Sequence, residues 1–148
     1  MPETIRDGTG TSKLAKVDAD NRLTVASAIV ASTSGGATLY RNVDVDESAD
    51  EVKSSAGQIY WFHAMNMTAG VIYLQIYNKV SSSVTVGTTA ADLTFPLTTA
   101  GDTNGSGFNL SIPNGIVMDT GITIACTTNI AGAGAPAANA CFVNLGYA

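Results

Sequence analysis

GFNLSIPNGIVMDTGITIACTT, residues 107–128, carries the pattern that decides the fold class. Apolar and polar residues alternate along both halves of the stretch, as they do in strands that bury one face of a sheet. Asn114-Gly115 separates the halves and is a strong signal for a turn between two strands. Asp119 is the one charged residue in the stretch. The pattern therefore predicts antiparallel β-structure with very little charge on its surface.

Strand-like stretches extend outward from these residues in both directions. Residues 58–65 and 71–78 are rich in the aromatic and β-branched side chains that strands favour. In the second of them, period-two alternation predicts that Ile72, Leu74 and Ile76 share one face. Further strands are predicted at 83–87, 92–98 and 140–147, and earlier in the chain at 22–32 and 37–46. Pro96 predicts an edge position or a bulge for its strand, because proline has no N–H to donate to a ladder.

Short strands at this spacing, with Gly, Asn and Ser between them, predict an all-β fold: an antiparallel β-sandwich or a barrel. Eight predicted strands after residue 56 suit a jelly roll of two packed sheets. We divide the chain into an extended N-terminal arm (1–21), N-terminal strands with an acidic loop (22–55), and a β-sandwich domain (56–148). The loop at 129–140, made of small residues, is predicted to be either a flexible tip or a segment that packs against a neighbour.

The charge balance excludes some classes of partner. The net charge is −5, and all seven Lys and Arg residues precede residue 80. Binding to DNA or RNA depends on basic side chains that displace phosphate counterions, so we expect no nucleic-acid partner. No apolar run approaches the ~18–20 residues of a membrane span, and the first residues lack the apolar segment of a signal peptide. We therefore expect synthesis in a cytoplasm and no membrane partner.

Residues that carry chemistry are sparse, and we predict a protein that is not an enzyme and holds no metal or cofactor. His63 is the one histidine, and its strand contains no carboxylate that would complete a metal site. The serine-nucleophile motif and the dinucleotide-binding motif are both missing from the sequence. The acids of the second half stand in predicted turns, where side-chain bonds to the backbone explain them: Asp92, Asp102 and Asp119.

The two cysteines lie at inward-facing positions of predicted strands. Cys126 follows Ile122 and Ile124 at spacings of two, and Cys141 precedes Val143 in the same way. Free buried thiols are expected in a reducing cytosol, where they behave as small apolar side chains. A cross-strand disulfide is the alternative.

Five aromatic residues are concentrated in the two strands at 58–65 and 71–78. Packing in a sandwich core as a cross-strand ladder is the favoured interpretation. A platform on which sugars stack is the alternative. The residues are Tyr60, Trp61, Phe62, Tyr73 and Tyr77.

The segment IRDGTGTSKLAKVDADNRLTV (5–25) resembles the opening of many bacteriophage virion proteins, in which a DGTG turn precedes a K-V-D-x-x-N-R-L segment. Residues 56–66, 71–79 and 107–128 and the closing VNLGYA are similar to the same group, so the resemblance covers most of the chain. It implies a structural component of a tailed-phage particle. Such components are small non-enzymatic β-sandwich modules, often trimeric, that decorate and cement a capsid or form part of a head or tail fibre.

From this resemblance we expect a capsid decoration (cement) protein, made in the host cytoplasm and located on the capsid surface of the virion. It would stabilise the head by bridging major capsid protein subunits. The alternative is a tail or fibre module that binds host surface glycans. The weakly charged β-domain is expected to form a homo-oligomer, a trimer, because little charge keeps identical faces apart. A mixed-charge set in the arm is predicted to dock on the capsid: Arg6, Asp7, Lys13, Lys16, Asp18 and Arg22.

Overall fold

The computed structural model describes residues 36–99 and 105–148, which contain eight strands and no α-helix. The predicted arm (1–21) and the predicted strand at 22–32 lie outside these ranges. The strands are β1 (Thr38–Asn42), β2 (Asp50–Lys53), β3 (Gly57–Asn66), β4 (Ile72–Tyr77), β5 (Leu93–Leu97), β6 (Ser106–Met118), β7 (Ile122–Thr127) and β8 (Cys141–Tyr147). A single 3₁₀ turn, Ser81–Ser83, lies between β4 and β5.

The strands form two antiparallel sheets of four. Sheet 1 has the order β1-β8-β3-β6, and sheet 2 has the order β2-β7-β4-β5. The predicted antiparallel β-sandwich is confirmed, and the finer jelly-roll assignment stays a prediction. β1 and β2 come from the segment predicted as 22–55, so both sheets combine strands of that segment with strands of 56–148.

Alternate residues from both sheets fill the core between them. On β4, Ile72, Leu74 and Ile76 are buried together, as the period-two pattern predicts. The core also takes residues from β7, the neighbour of β4, and from two strands of the facing sheet: Ile122, Ile124 and Cys126 of β7, Ile59, Phe62 and Ala64 of β3, and Cys141, Val143 and Leu145 of β8. Burial of these apolar side chains is the main force that holds the two sheets face to face.

The turn predicted at Asn114-Gly115 is wrong, because β6 continues through it as one strand. β6 pairs with β3 on both sides of this point, with Ile59 opposite Ile116 and Trp61 opposite Ser111. Residues 112–115 therefore bulge opposite a single residue, Tyr60. A two-residue type I′ turn needs positive φ at both central positions, whereas here only Gly115 has it, at 70°. The Asn-Gly signal marks a bulge in this protein.

The strand predicted at 83–87 is also wrong, and a turn stands in its place. The backbone N–H groups of Thr88 and Thr89 both donate to the carbonyl of Thr85, at 3.0 and 2.8 Å. The N–H of Thr85 donates in return to the hydroxyl of Thr89 at 2.9 Å. Threonine side chains can bond locally to the backbone in place of a sheet ladder. These local bonds form here although Val84 and Val86 alternate with polar residues as they would in a strand. By contrast, Pro96 lies on β5 at the edge of sheet 2, as predicted.

Candidate functional site

The six residues predicted to dock on a capsid lie outside the described part of the chain. They are Arg6, Asp7, Lys13, Lys16, Asp18 and Arg22. The candidate surfaces described below therefore all belong to the sandwich.

The first surface, which we name the charged side, consists of β1, β2 and the connection between them, residues 43–49. Seven of the ten charged side chains in the described ranges lie here: Arg41, Asp44, Asp46, Glu47, Asp50, Glu51 and Lys53, the other three being Lys79, Asp92 and Asp119. Five acids and two bases give this side a net charge of −3. The sequence shows the acidic cluster, but only the strand order shows that it occupies one edge of both sheets.

The connection on the charged side is tied to both sheets by its backbone. The N–H of Val45 donates to the carbonyl of Cys141 in sheet 1 at 2.9 Å. The carbonyl of the next residue, Asp46, accepts from the N–H of Cys126 in sheet 2 at 2.7 Å. The side chain of Val45 is buried in the core between them. This dipeptide therefore closes the sandwich on its charged side.

Two carboxyl groups of the charged side have shifted pKa values. Burial raises the pKa of Asp50, while a hydrogen bond from the amide of Asn42 (2.7 Å) opposes the shift and the charges of Asp46 and Asp44 add to it. The pKa of Asp46 is lowered because its carboxylate accepts hydrogen bonds from the hydroxyl and the backbone N–H of Ser48. The hydrogen bonds therefore stabilise the anionic form of Asp46, whereas burial destabilises the anionic form of Asp50.

The opposite edge of the sandwich, which we name the uncharged side, consists of β5 and residues Ser106–Ser111 of β6. Neither segment contains a charged residue. Phe95 and Phe108 meet there with ring centroids 5.7 Å apart, and both pack on Phe62, at 4.9 and 5.8 Å. Phe108 remains 36% exposed. The core thus reaches the surface on this side as an aromatic cluster.

The aromatic side chains that the sequence predicts in a core ladder are divided between the core and the outer faces. Phe62 packs in the core as predicted, Tyr77 is buried outside the core cluster, and Trp61 lies half-buried on the outer face of sheet 1, over Gly146 of β8. A methyl group at Gly146 would collide with the indole ring. The bulge opposite Tyr60 changes which residues of β3 point inward, and simple alternation could not reveal this.

Phe142 lies on β8, in register with Met65 of β3, and takes part in a second group of contacts. The ring of His63 makes an edge contact with it at 6.1 Å, and the guanidinium of Arg41 lies 5.4 Å above its centroid. Histidine, arginine and phenylalanine therefore form one stacked row across β3, β8 and β1. These contacts give His63 a structural role as an outward-facing residue of β3.

A cleft of about 330 Å³ lies between the turn at 85–91 and the start of the 129–140 loop. Gln75 is at its base, 2% exposed, and its amide nitrogen donates to the hydroxyl of Thr127 at 2.8 Å. The amide oxygen accepts the hydroxyl hydrogen of Tyr77. The first residues of the loop fold over these groups, since the amide nitrogen of Gln75 also lies 3.4 Å from the carbonyl oxygen of Asn129 and 3.5 Å from those of Ile130 and Gly132. The start of the loop therefore packs on its own sheet, and packing of the loop against a neighbour stays a prediction.

Cys126 and Cys141 are free thiols, and both are buried. They belong to β7 and β8, which lie in facing sheets, so they meet across the core and not between neighbouring strands. Its hydrogen bond to Cys126 and its burial together raise the pKa of the Cys141 thiol. The favoured prediction of free buried thiols agrees with this geometry.

In the described ranges, no group of three His, Cys, Asp or Glu side chains is placed to hold a metal ion. The same ranges contain no helix long and apolar enough to cross a membrane. Comparison of the chain with family models, with curated proteins and with solved structures finds no match in any of the three.

Proposed function

We propose that this protein is a non-enzymatic structural component of a tailed-phage virion: a capsid decoration (cement) protein that stabilises the head by bridging major capsid protein subunits. The observation that carries the proposal is the segregation of charge on the sandwich. Seven charged side chains gather on the charged side, and the uncharged side has none. A protein that lies between a shell and copies of itself needs two unlike surfaces of this kind.

The charged side suits contact with the shell. Polar and charged surfaces steer association and select partners by complementary potential. Of the two sides, the charged side contains β1, the first described strand, which the predicted docking arm precedes in the chain. An extended arm that orders on a partner gains a large contact area from few residues. In this proposal the arm and the charged side together bind the major capsid protein.

The uncharged side suits contact between copies. Identical surfaces bring like charges together wherever they carry charge, and burying an unpaired ion is costly. An apolar and hydroxyl-bearing edge avoids both penalties. The proposal therefore includes self-association through the sandwich, with the arm free to attach each copy to the shell.

Deletion of residues 1–21 tests this division of roles. We expect the truncated protein to keep its oligomeric state and to co-sediment less with heads that lack the native protein. Binding of the full chain should weaken as salt rises, and this salt dependence should be smaller without the arm. Full binding of the truncated protein would show that the sandwich alone docks, and immunogold labelling confined to tails would refute the decoration role.

A tail or fibre module that binds host glycans is the second candidate, and one observation favours it. Trp61 is half-buried on an outer sheet face, next to the row formed by His63 and Phe142. Aromatic faces on a flat surface are a common platform for sugars. Trp61 is the one tryptophan in the chain, so its fluorescence reports on this site alone. Quenching by free sugars would support the glycan role, and no change at saturating sugar would remove it.

A further inference from the structure

We propose that two copies of this protein associate through the edge of β6, with Ser106–Ser111 of one copy pairing antiparallel with the same segment of the other about a two-fold axis. The contact rests on the self-association included in the proposed function, and it gives that association a location and a symmetry.

Within the described ranges, residues 106–111 have a backbone edge with no strand beside it. Residues 106–111 pair with β3 from Asn66 opposite Ser106 to Trp61 opposite Ser111. β6 is the last strand of sheet 1, and no strand in the described ranges pairs with its other side. Alternate N–H and C=O groups therefore point away from the sheet, where they match the groups of another strand.

Residues 106–111 of β6 lack the features that block such pairing on the other sheet edges. Proteins protect sheet edges with charged residues, proline or bulges. Among the remaining edge strands, β1 carries Arg41, β2 is largely charged and has an irregular register, and β5 contains Pro96. On β6, Pro113 and the bulge come only after Ser111. Residues 106–111 are thus the one unprotected edge of the four in the described sheets.

The proposed contact would bury apolar surface and no charged side chain of the two edge strands. Phe108 is 36% exposed beside Phe95 and Phe62, so a second copy at this edge would cover the aromatic cluster. No charged side chain of β5 or β6 would lose its water, because neither strand has one. The five acids of the charged side lie on the opposite edge of the sandwich, where repulsion between the two copies is weakest.

Pairing through one and the same edge also determines the symmetry of the dimer. A strand that pairs antiparallel with its own copy makes an isologous contact, in which both partners use the same surface. A three-fold ring would need two different edges that fit each other, and the remaining edges are the protected ones. The edge geometry therefore favours a two-fold dimer over the trimer expected from the sequence.

The test uses the purified full chain and two lysine substitutions on edge strands. Asn109 is exposed and pairs in register with His63, whose side chain faces outward, so Asn109→Lys adds charge to the edge without entering the core. Thr38→Lys is the matched control, an exposed polar residue changed on β1. Sedimentation over a concentration range should give a dimer for the wild type and for Thr38→Lys. For Asn109→Lys the dissociation constant should rise about tenfold or more, because like charges meet across the contact.

Hydrogen exchange gives a second measurement on the same samples. Amides within 106–111 should exchange faster when the wild type is diluted, while those of β7 stay unchanged. A wild type that is monomeric at every concentration, or trimeric, overturns the contact, as does an Asn109→Lys protein with wild-type mass. Concentration-independent protection of the 106–111 amides that point away from β3 would place another segment of the same chain on the edge and would also overturn it.

The outcome is separable from that of the proposed function. A dimer that dissociates in Asn109→Lys but never binds heads would leave the contact standing and refute the decoration role. A monomer that binds heads would refute the contact and leave the role standing.

Discussion

Replacing Gly146 with alanine tests the placement of Trp61 on the outer face of sheet 1. A Cβ atom at residue 146 would collide with the indole ring, whereas the strand backbone at this position suits alanine. The ring is half-buried, so we expect it to swing into solvent and not to push the strands apart.

The magnitude follows from the area that the indole gives up. A tryptophan buries about 200 Å² when fully covered, and we expect the swing to expose about half of that area, about 100 Å². At about 25 cal/mol per Å² this costs about 2.5 kcal/mol. Alanine regains about 0.5–1 kcal/mol over glycine in a strand, because it loses less backbone freedom on folding. Gly146→Ala should therefore lower the free energy of unfolding by about 1.5–2 kcal/mol.

Urea unfolding followed by circular dichroism measures this loss, and the emission of Trp61 should shift to the red in the folded variant. Gly70→Ala is the matched control, since nothing lies within 4 Å of a Cβ there. It should be neutral or stabilising by up to about 1 kcal/mol. In a Trp61→Ala background, Gly146→Ala should lose its cost. Wild-type stability with unchanged emission in Gly146→Ala would refute the placement of Trp61.

Two further predictions concern buried polar groups. Cys126→Ser and Cys141→Ser should each lower the free energy of unfolding by about 1–3 kcal/mol, because a hydroxyl replaces a buried thiol. The loss should be the same with and without reductant. A wild-type melting temperature that fell on reduction alone would indicate a disulfide. Asp50 has a folded-state pKa above its unfolded value, so its favourable contribution is present below the unfolded pKa and is lost as pH rises through the folded pKa. Asp50→Asn should therefore raise the urea midpoint at about pH 7 and have little effect at about pH 3; a lower midpoint at neutral pH would contradict this.

The local pattern predicts most of the strands but not their arrangement in the sheets. Alternation along 71–78 predicts correctly that Ile72, Leu74 and Ile76 face the core, because burial of one sheet face imposes a period of two. The same reasoning fails at Asn114-Gly115, since a bulge and a turn use the same residue types. It fails at 83–87 because bonds between neighbouring threonines are not visible in a hydropathy pattern.

The candidate surfaces could be predicted less well than the strands. The sequence shows where charge is concentrated along the chain, but the two sides of the sandwich depend on the order of strands within each sheet. The exposed edge at Ser106–Ser111 follows from the same order. The outward position of Trp61 depends on the register change on β3. Each of these features is a property of tertiary pairing, so no local pattern encodes it.

The backbone tie at Val45 and Asp46 has a mechanical consequence. A pull transmitted along the backbone at residue 36 enters the sandwich through β1, whose partner is β8. The tie lies just beyond β1 and engages β8 and β7 at once, through Cys141 and Cys126. A load that begins to peel β1 therefore reaches both sheets within a few residues, and the force is shared. Under tension, the unfolding barrier should depend on this dipeptide more than its small contribution to equilibrium stability suggests.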